Sequence, residues 1–365
     1  MIDLAIGLGQ GGSRIAKEFS EVFKAPGRYI NFADVDYANF DVPKSHYLVL
    51  DGSGTGRDPD VGERLADDHE DDICTFVEDA AEATRAERVV VCIGGGGGSG
   101  AGMMFTVIEH LIKLELEVLV VYTLPQKSEG LPAKPNALYR LNRLIAGYVA
   151  KGIKKSDQTA VLLIDNDFCI SRYSASNDEK DYWKSVNRGI VMSLKRMWDL
   201  TNLDNIEHLD AAAGFGAMDK NEFLRIVFFK EGFLDIRSII FESSDASELG
   251  KTIKSSSLVF GNLDIGTTKA YIVSLALPSS WKNKSGTRNF IDDVFSRLQK
   301  SARTPYVLRS SFFSPRIEQA KCLLILAGMS RSHGLEKILG QTEKDVRKYR
   351  EKGGVEELDL SNIDL

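Results

Sequence analysis

The run Val91-Cys92-Ile93-Gly94-Gly95-Gly96-Gly97-Gly98-Ser99-Gly100-Ala101-Gly102 constrains this chain more than any other segment, because seven small residues, Gly94 to Gly100, directly follow an apolar stretch. Glycine loses more backbone entropy on ordering than any other residue. Five in a row are therefore tolerable only where something approaches the main chain closely or where φ must be positive. A chain of phosphates, gripped by backbone N–H groups, meets that description.

The wider composition narrows the class. With 365 residues the chain is long enough for one large or two medium cores, and 43% hydrophobic against 27% charged residues describes a water-soluble globular protein. A net charge of −6 argues against nonspecific binding to nucleic acid or to an anionic membrane, since no domain-wide positive field is available. Cys74, Cys92, Cys169 and Cys322 are far apart and form no CxxC pair, which fits buried thiols in a reducing compartment. Met1-Ile2-Asp3-Leu4 leads straight into a strand-like run with no basic segment before it, and no apolar stretch reaches ~18 residues. The expected location is the cytoplasm.

Hydrophobic periodicity orders the first half as alternating strands and helices. Ile2 to Leu8 reads as a buried strand, Gly9-Gln10-Gly11-Gly12 as a break, and Ser13 to Phe23 as a helix with Ile15, Phe19 and Val22 on one face. Strands follow at Tyr29 to Ala33, ending in Asp34-Val35-Asp36, and at Tyr47 to Leu50, ending in Asp51-Gly52-Ser53-Gly54-Thr55-Gly56. Residues 61 to 85 read as an acidic helix, Arg88 to Ile93 as the strand feeding the glycine run, and Met103 to Leu114 as a helix. Val118 to Leu124 and Ala160 to Ile164 read as strands around a helix from Ala137 to Gly152. This order implies a mostly parallel α/β sheet covered on both faces, with ligands beyond the C-terminal strand ends where the glycine and aspartate clusters fall.

A long helix over Asp181 to Leu200, with Val186, Ile190, Leu194 and Trp198 on one face, links to a second half. There, Phe223 to Phe229, Ser238 to Glu242, Ala270 to Leu277 and Lys321 to Ala327 read as strands, with helices near 246 to 256 and 289 to 300, an α+β pattern with no phosphate-type loop. Gln341 to Lys352 reads as a short charged helix, and the following tail has too little apolar surface for a core of its own. The expected organisation is a nucleotide domain over 1–180, a central helix over 181–204, an α+β domain over 205–340 and a charged helix and tail over 341–365, the last either frayed or docking on a partner.

Three strand-end loops, 9–12, 51–56 and 94–100, invite a nucleotide together. Gly7-Leu8-Gly9-Gln10-Gly11-Gly12, with Asp34 or Asp36 to follow, fits a dinucleotide fingerprint and hence a NAD(P)-dependent oxidoreductase, but that reading leaves 94–100 unexplained. A Walker-type loop fails because Gly94 to Gly102 contains no Gly-Lys-Ser/Thr. Phosphates at 94–100 must be held by backbone N–H groups, a helix N-terminus near Gly100 and the Ser99 hydroxyl.

Taken together, these motifs resemble the tubulin/FtsZ superfamily. Gly94-Gly95-Gly96-Gly97-Gly98-Ser99-Gly100 is similar to its Gly-Gly-Gly-Thr-Gly-Thr/Ser-Gly signature, with Gly97 where the family has threonine. Gly9-Gln10-Gly11-Gly12 resembles the first phosphate loop. Asp34-Val35-Asp36 resembles the Asn-Thr-Asp loop, and Gly54-Thr55-Gly56 with Pro59 and Gly62 resembles the third. Leu124-Pro125 and Glu129-Gly130 resemble the ribose-side loop, although Ala133 or Lys134 stands where an arginine is common. Ile164-Asp165-Asn166-Asp167 resembles Ile-Pro-Asn-Asp, which implies Asn166 at the base edge, while Trp183 and Asn187, four apart on the long helix, imply stacking on and hydrogen bonding to guanine.

The resemblance also implies a remote catalytic segment. Asn205-Ile206-Glu207-His208-Leu209-Asp210 is similar to the family's Asn-x-Asp-x-x-Asp/Glu loop, with Asn205, Glu207 and Asp210 in the matching positions. In that family, head-to-tail stacking carries the acids over the neighbour's γ-phosphate, where they orient an attacking water. The implied cofactors are GTP/GDP with Mg²⁺ carried on the phosphates, since His208 belongs to no His, Cys and Asp cluster that would make a protein-only metal site. Among branches, the compact chain most resembles the TubZ-type homologues of plasmids and phages. That implies a filament of identical subunits and a DNA-binding adaptor protein as partner, with no direct nucleic acid contact and no membrane. A cell-division-type homologue, an oxidoreductase and a nonenzymatic nucleotide-stabilised scaffold are the alternatives.

Overall fold

The protein is described by a computed structural model covering residues 1–38, 40–130, 133–145, 159–173, 179–202, 204, 209–212, 214, 216–261, 263–304, 306–330 and 333–351. It divides into two units, Met1–Arg188 with Leu335–Leu365, and Gly189–Gly334.

The first unit is built on six parallel strands, β1 (Leu4–Leu8), β2 (Gly27–Asn31), β3 (Tyr47–Val49), β4 (Arg88–Gly94), β5 (Glu117–Leu124) and β6 (Ala160–Asp165), in the order β3-β2-β1-β4-β5-β6. The central strands are buried almost end to end, which is why they read as continuous apolar runs without alternation. Among the described residues the helices that accompany them include α1 (Gly9–Phe23), α2 (Pro59–Asp68), α3 (Glu70–Thr84), α4 (Gly98–Lys113), α5 (Ala133–Ile145), α6 (Asn166–Tyr173) and α7 (Glu179–Asp199). The unit boundary falls inside α7, between Arg188 and Gly189.

Two helices start earlier than the periodicity predicts. α1 begins at Gly9 instead of Ser13, and α4 at Gly98 instead of Met103. Glycine is a poor helix former, but tertiary contact overrides that propensity here. A Cβ on Gly100 would lie 2.4 Å from the Leu8 carbonyl oxygen, and one on Gly102 would lie 2.4 Å from the Gly62 carbonyl carbon. α4 is buried on nearly all sides, between the sheet and α2, and only residues without side chains let it approach both. The glycine run thus contracts to a connection of three residues, Gly95 to Gly97, between β4 and α4.

Residues 61–85 form two helices, not one. The acids Asp67 and Asp68 at the end of α2 oppose the helix dipole, whereas Glu70, Asp71 and Asp72 in the first turn of α3 complement it, so the chain restarts after His69.

The second unit orders its strands β8-β11-β9-β10-β7: β7 (Asp210–Ala211), β8 (Phe233–Ile240), β9 (Ala270–Pro278), β10 (Tyr306–Ser314) and β11 (Lys321–Met329). β9 and β10 are parallel and the other pairs antiparallel. Helices α8 (Lys220–Val227), α9 (Leu249–Thr252) and α10 (Thr287–Ala302) belong to it. The last helix, α11, spans His333–Glu351.

The strand expected at Phe223 to Phe229 is instead α8. Asp219 caps it by accepting from Glu222 N at 2.8 Å, and Phe223, Leu224, Ile226 and Val227 bury one face while Glu222 and Arg225 stay outside. β10 went unread because its Ser310 and Ser311 dilute the apolar run. Both are buried, donating to the Gly216 and Ala212 carbonyls.

Candidate functional site

A cavity of about 520 Å³ lies in the first unit, beyond the C-terminal ends of β1, β2, β4 and β5. The N-termini of α1 and α4 both open into it. Neither helix has a side-chain cap or an acidic residue in its first turn, in contrast to α2, whose cap Asp58 accepts from Asp60 N at 2.8 Å. Two helix ends with uncapped N–H groups and uncompensated partial positive charge form an anion-binding site.

Close backbone approach holds these ends together. At Gly9, where φ is +66°, a Cβ would sit 2.9 Å from Gly100 N. One at Gly98 would sit 2.1 Å from Thr55 Oγ1, so the 51–56 loop is packed directly on the start of α4. Gly96 faces Pro125 and the Glu129 carboxylate. Gly97 is different: φ is −89° and nothing approaches a Cβ closer than 3.6 Å, so this position leaves room for a side chain such as threonine.

Gly9, Gln10, Gly11, Asp36, Gly54, Thr55, Gly56, Gly96 to Gly100, Pro125 and Glu129 line the cavity, as do Asn166, Trp183 and Asn187. The structure thus brings together loops separated by up to about 180 positions along the chain. Three residues expected there stand outside the lining. Gly12 backs onto β4, where a Cβ would meet the Cys92 carbonyl oxygen at 2.1 Å, and Gly95 is pressed on the Tyr122 ring. Asp34 is exposed and absent from the lining.

Asp36 does not offer a free carboxylate. Its oxygens accept from Gln10 Nε2 at 3.0 Å and from the buried Asn31 Nδ2 at 2.6 Å. Glu129 accepts from Gln126 N at 2.8 Å in a capping box that closes the 126–129 turn. Asp167 ties that turn down, accepting from Lys127 N at 3.0 Å and from Lys134 Nζ at 2.9 Å. Lys134, which with Ala133 is a candidate for the place of an arginine, is thereby committed to Asp167, and it is absent from the lining. Asn166 is the first residue of α6, a helix missing from the sequence expectation.

The lining also holds residues that the motifs passed over. Asn31, Ser53, Thr123 and Gln126 add hydrogen-bonding groups, and Arg14 and Arg57 add positive charge. The signal for the two arginines is placement alone: each lies within a few residues of a glycine loop in an acidic chain.

An ion network built on a buried arginine ties α5 to α2, the helix that follows the 51–56 loop. Arg140 of α5, fully buried, donates to Asp60 Oδ1 at 2.6 Å and to Glu63 of α2, and Arg143 donates to Glu63 Oε1 at 3.0 Å. Burial alone would raise the Glu63 carboxyl, but the hydrogen bonds from Arg143 and Arg140 outweigh it and hold it below its ordinary value.

Of the expected catalytic segment, Asn205, Glu207 and His208 lie outside the described residues. Asp210 is exposed in the second unit, where it opens β7 and pairs with Lys282 Nζ at 2.9 Å. The cavity can therefore hold a polyanion, but each carboxylate in its described lining is already engaged by protein donors.

No family model matches the chain. Cell division protein FtsZ 1 of Pyrococcus furiosus is 31% identical over 168 residues, covering 44% of this chain and only 41% of that protein. Among solved structures, a GTPγS-form protofilament of TubZ from Bacillus thuringiensis serovar israelensis superposes with a TM-score of 0.73 at 20% identity, covering 96% of this chain and 93% of that one. The GTPγS-bound protofilament of CetZ2 from Haloferax volcanii gives 0.69 at 19% identity, covering 96% and 100%. No helix among the described residues is long and apolar enough to cross a membrane.

Proposed function

We propose that this chain, which has the tubulin/FtsZ fold, is a GTPase that polymerises head to tail and hydrolyses GTP where two copies meet. The observation carrying the reading is the junction of α1 and α4: two uncapped helix N-termini, in contact through Gly9 and Gly100, in one cavity that Trp183, Asn187 and Asn166 also line. Helix N-termini brought together through glycines that admit no Cβ suit a phosphate chain, and an indole with two amides suits guanine. The strand order alone is shared with dinucleotide-binding folds. The second phosphate loop at Gly95 to Gly97 favours the triphosphate reading over the oxidoreductase.

The engaged state of Asp36 and Glu129 is the reason to look outside the cavity for the water-orienting groups. In this reading Glu207 and Asp210 of one copy, with Asn205 beside them, orient and polarise the water at the next copy's terminal phosphate. Mg²⁺ would be held chiefly by the phosphates, because the described residues contain no cluster of three metal-ligating side chains. Such an interface is heterologous and open, and so produces filaments. Likeness to TubZ supports a cytoplasmic filament that moves plasmid or phage DNA through a DNA-bound adaptor docking on 341–365; likeness to FtsZ supports a cell-division role instead. The net charge of −6 favours an adaptor over direct DNA contact.

Phosphate release measured against protein concentration, with light scattering alongside, tests the assignment. A site shared between copies gives hydrolysis that rises steeply with concentration and tracks assembly. Concentration-independent turnover, or none with GTP, removes the proposal.

A further inference from the structure

We infer that Arg140, which lies outside the cavity, is a positioning residue for it: through Asp60 and Glu63 it fixes the start of α2, and with it the seat of Thr55 and Asp58 on the N-terminus of α4. The inference rests on reading the cavity as a guanine nucleotide site.

The Arg140 side chain is wholly buried, yet it is absent from the cavity lining. It donates to Asp60 Oδ1 at 2.6 Å and to Glu63 Oε2. Arg143 shares Glu63, donating to Oε1 at 3.0 Å and to Oε2 at 3.1 Å. Asp60 and Glu63 are the second and fifth residues of α2, so the grip falls on the start of that helix.

From there the path to the cavity is short. Asp58 caps α2, its N–H donates to Thr55 O at 3.0 Å, and Thr55 lines the cavity. A Cβ on Gly98, the first residue of α4, would lie 2.1 Å from Thr55 Oγ1 and 2.7 Å from Asp58 N; one on Gly62, beside Glu63, would lie 2.4 Å from Gly98 O. Packing this close leaves no slack, so any displacement of α2 displaces Thr55 and the N–H groups that open α4.

α5, which carries Arg140, is itself held at two further points. In its first turn Lys134 Nζ donates to Asp167 at 2.9 Å, one residue from the lining Asn166. In its middle, Ala137 O accepts from Tyr122 OH at 2.8 Å, and the Tyr122 ring backs Gly95. The guanidinium therefore acts from a fixed base.

Stability alone does not account for the arrangement. Burying an ion pair costs the hydration of both charges, and an apolar pair of similar volume would join α5 to α2 at least as well. A guanidinium adds direction. Its donors are fixed in one plane, so reaching two carboxylates three residues apart sets both the distance and the rotation of α2, which an ammonium or an apolar contact does not.

The test is competition of GTPγS against a fluorescent guanine nucleotide, with thermal melts of the same samples of the full chain. Arg140→Lys keeps the charge and loses the fork, and is expected to bind about tenfold more weakly. Asp60→Asn should lose about threefold; its side chain is 73% exposed, so its melt should stay within about 2 °C of the parent. Arg237→Lys, in the second unit, is the control: that arginine is equally buried and pairs with Asp235 at 2.7 Å, so the variant should melt lower than the parent and bind GTPγS as the parent does. In turnover, Arg140→Lys should raise KM and recover the parent's kcat at saturating GTP, because Arg140 touches no reacting group. Parental affinity in both Arg140→Lys and Asp60→Asn, an equal loss in Arg237→Lys, or a loss confined to kcat overturns the inference while leaving the GTPase reading intact. The affinity measurement decides the matter even for a parent that turns over no GTP; a parent that binds no guanine nucleotide sinks both.

Discussion

Gln10 donates from Nε2 to Asp36 Oδ1 at 3.0 Å, and because a carboxylate only accepts, this bond settles which end of the Gln10 amide meets Asp36. Asp36 is itself pinned through its other oxygen by Asn31, so the acid of the 34–36 loop serves to orient a neighbour.

Replacing Asp36 by Ala therefore acts through Gln10 and Asn31. Asn31 is fully buried, and losing an acceptor there is expected to cost about 1–3 kcal/mol of stability. Guanine nucleotide affinity should fall severalfold. Denaturant unfolding and nucleotide titration read the two effects separately, and unchanged values in both would contradict the network.

The glycines of the run should divide by position. Gly97→Thr has room and a negative φ at the helix cap, so stability should stay within about 0.5 kcal/mol of the parent with the protein still assembling. Gly100→Ala drives a methyl into the Leu8 carbonyl and should cost more than 2 kcal/mol, roughly an overpacking penalty, and abolish nucleotide binding. Thermal melts of the pair decide it; similar melts would mean that the run is permissive throughout.

Asp210 is held in the single chain by Lys282, in an exposed pair worth roughly 0–1 kcal/mol. That contact is weak enough to yield on assembly. Under the proposed mechanism, Asp210→Asn and Glu207→Ala should slow turnover on the order of 100-fold and leave long-lived GTP filaments. Sedimentation with phosphate release checks this, and wild-type turnover in either variant would exclude that acid.

Glu63 sets a pH dependence. Its folded carboxyl titrates below the ordinary value of 4.5, so the unfolded chain takes up the proton first. The stabilisation is present above that value and is lost as pH falls through the lower, folded one. Glu63→Gln should be destabilised near neutral pH by about 3 kcal/mol, because Arg140 stays buried with Asp60 as its remaining partner, and should show a flatter acid limb. Urea midpoints from pH 3 to pH 7, a range of about four units, would expose a parallel acid limb as the contrary result.

Much of the first unit was legible because its signals are local. Buried parallel strands read as unbroken apolar runs, and strand-end glycines mark where the chain must turn. The second unit was harder. Phe223 to Val227 is short enough to suit strand or helix, and only the cap at Asp219 and the burial of one face decide for helix. β10 hides its strand character behind serines whose acceptors lie about a hundred residues away.

The same division runs through the site. By itself the sequence determined the alternation of strands and helices and the three glycine loops, since periodicity and residue type are properties of neighbours along the chain. Only the tertiary structure decided which glycines line the cavity and which, like Gly95 on Tyr122 or Gly102 on Gly62, admit close packing. It alone revealed that Asp36, Glu129 and Lys134 are committed to protein partners. A side chain's availability depends on what lies within about 3 Å of it, and those partners come from distant parts of the chain.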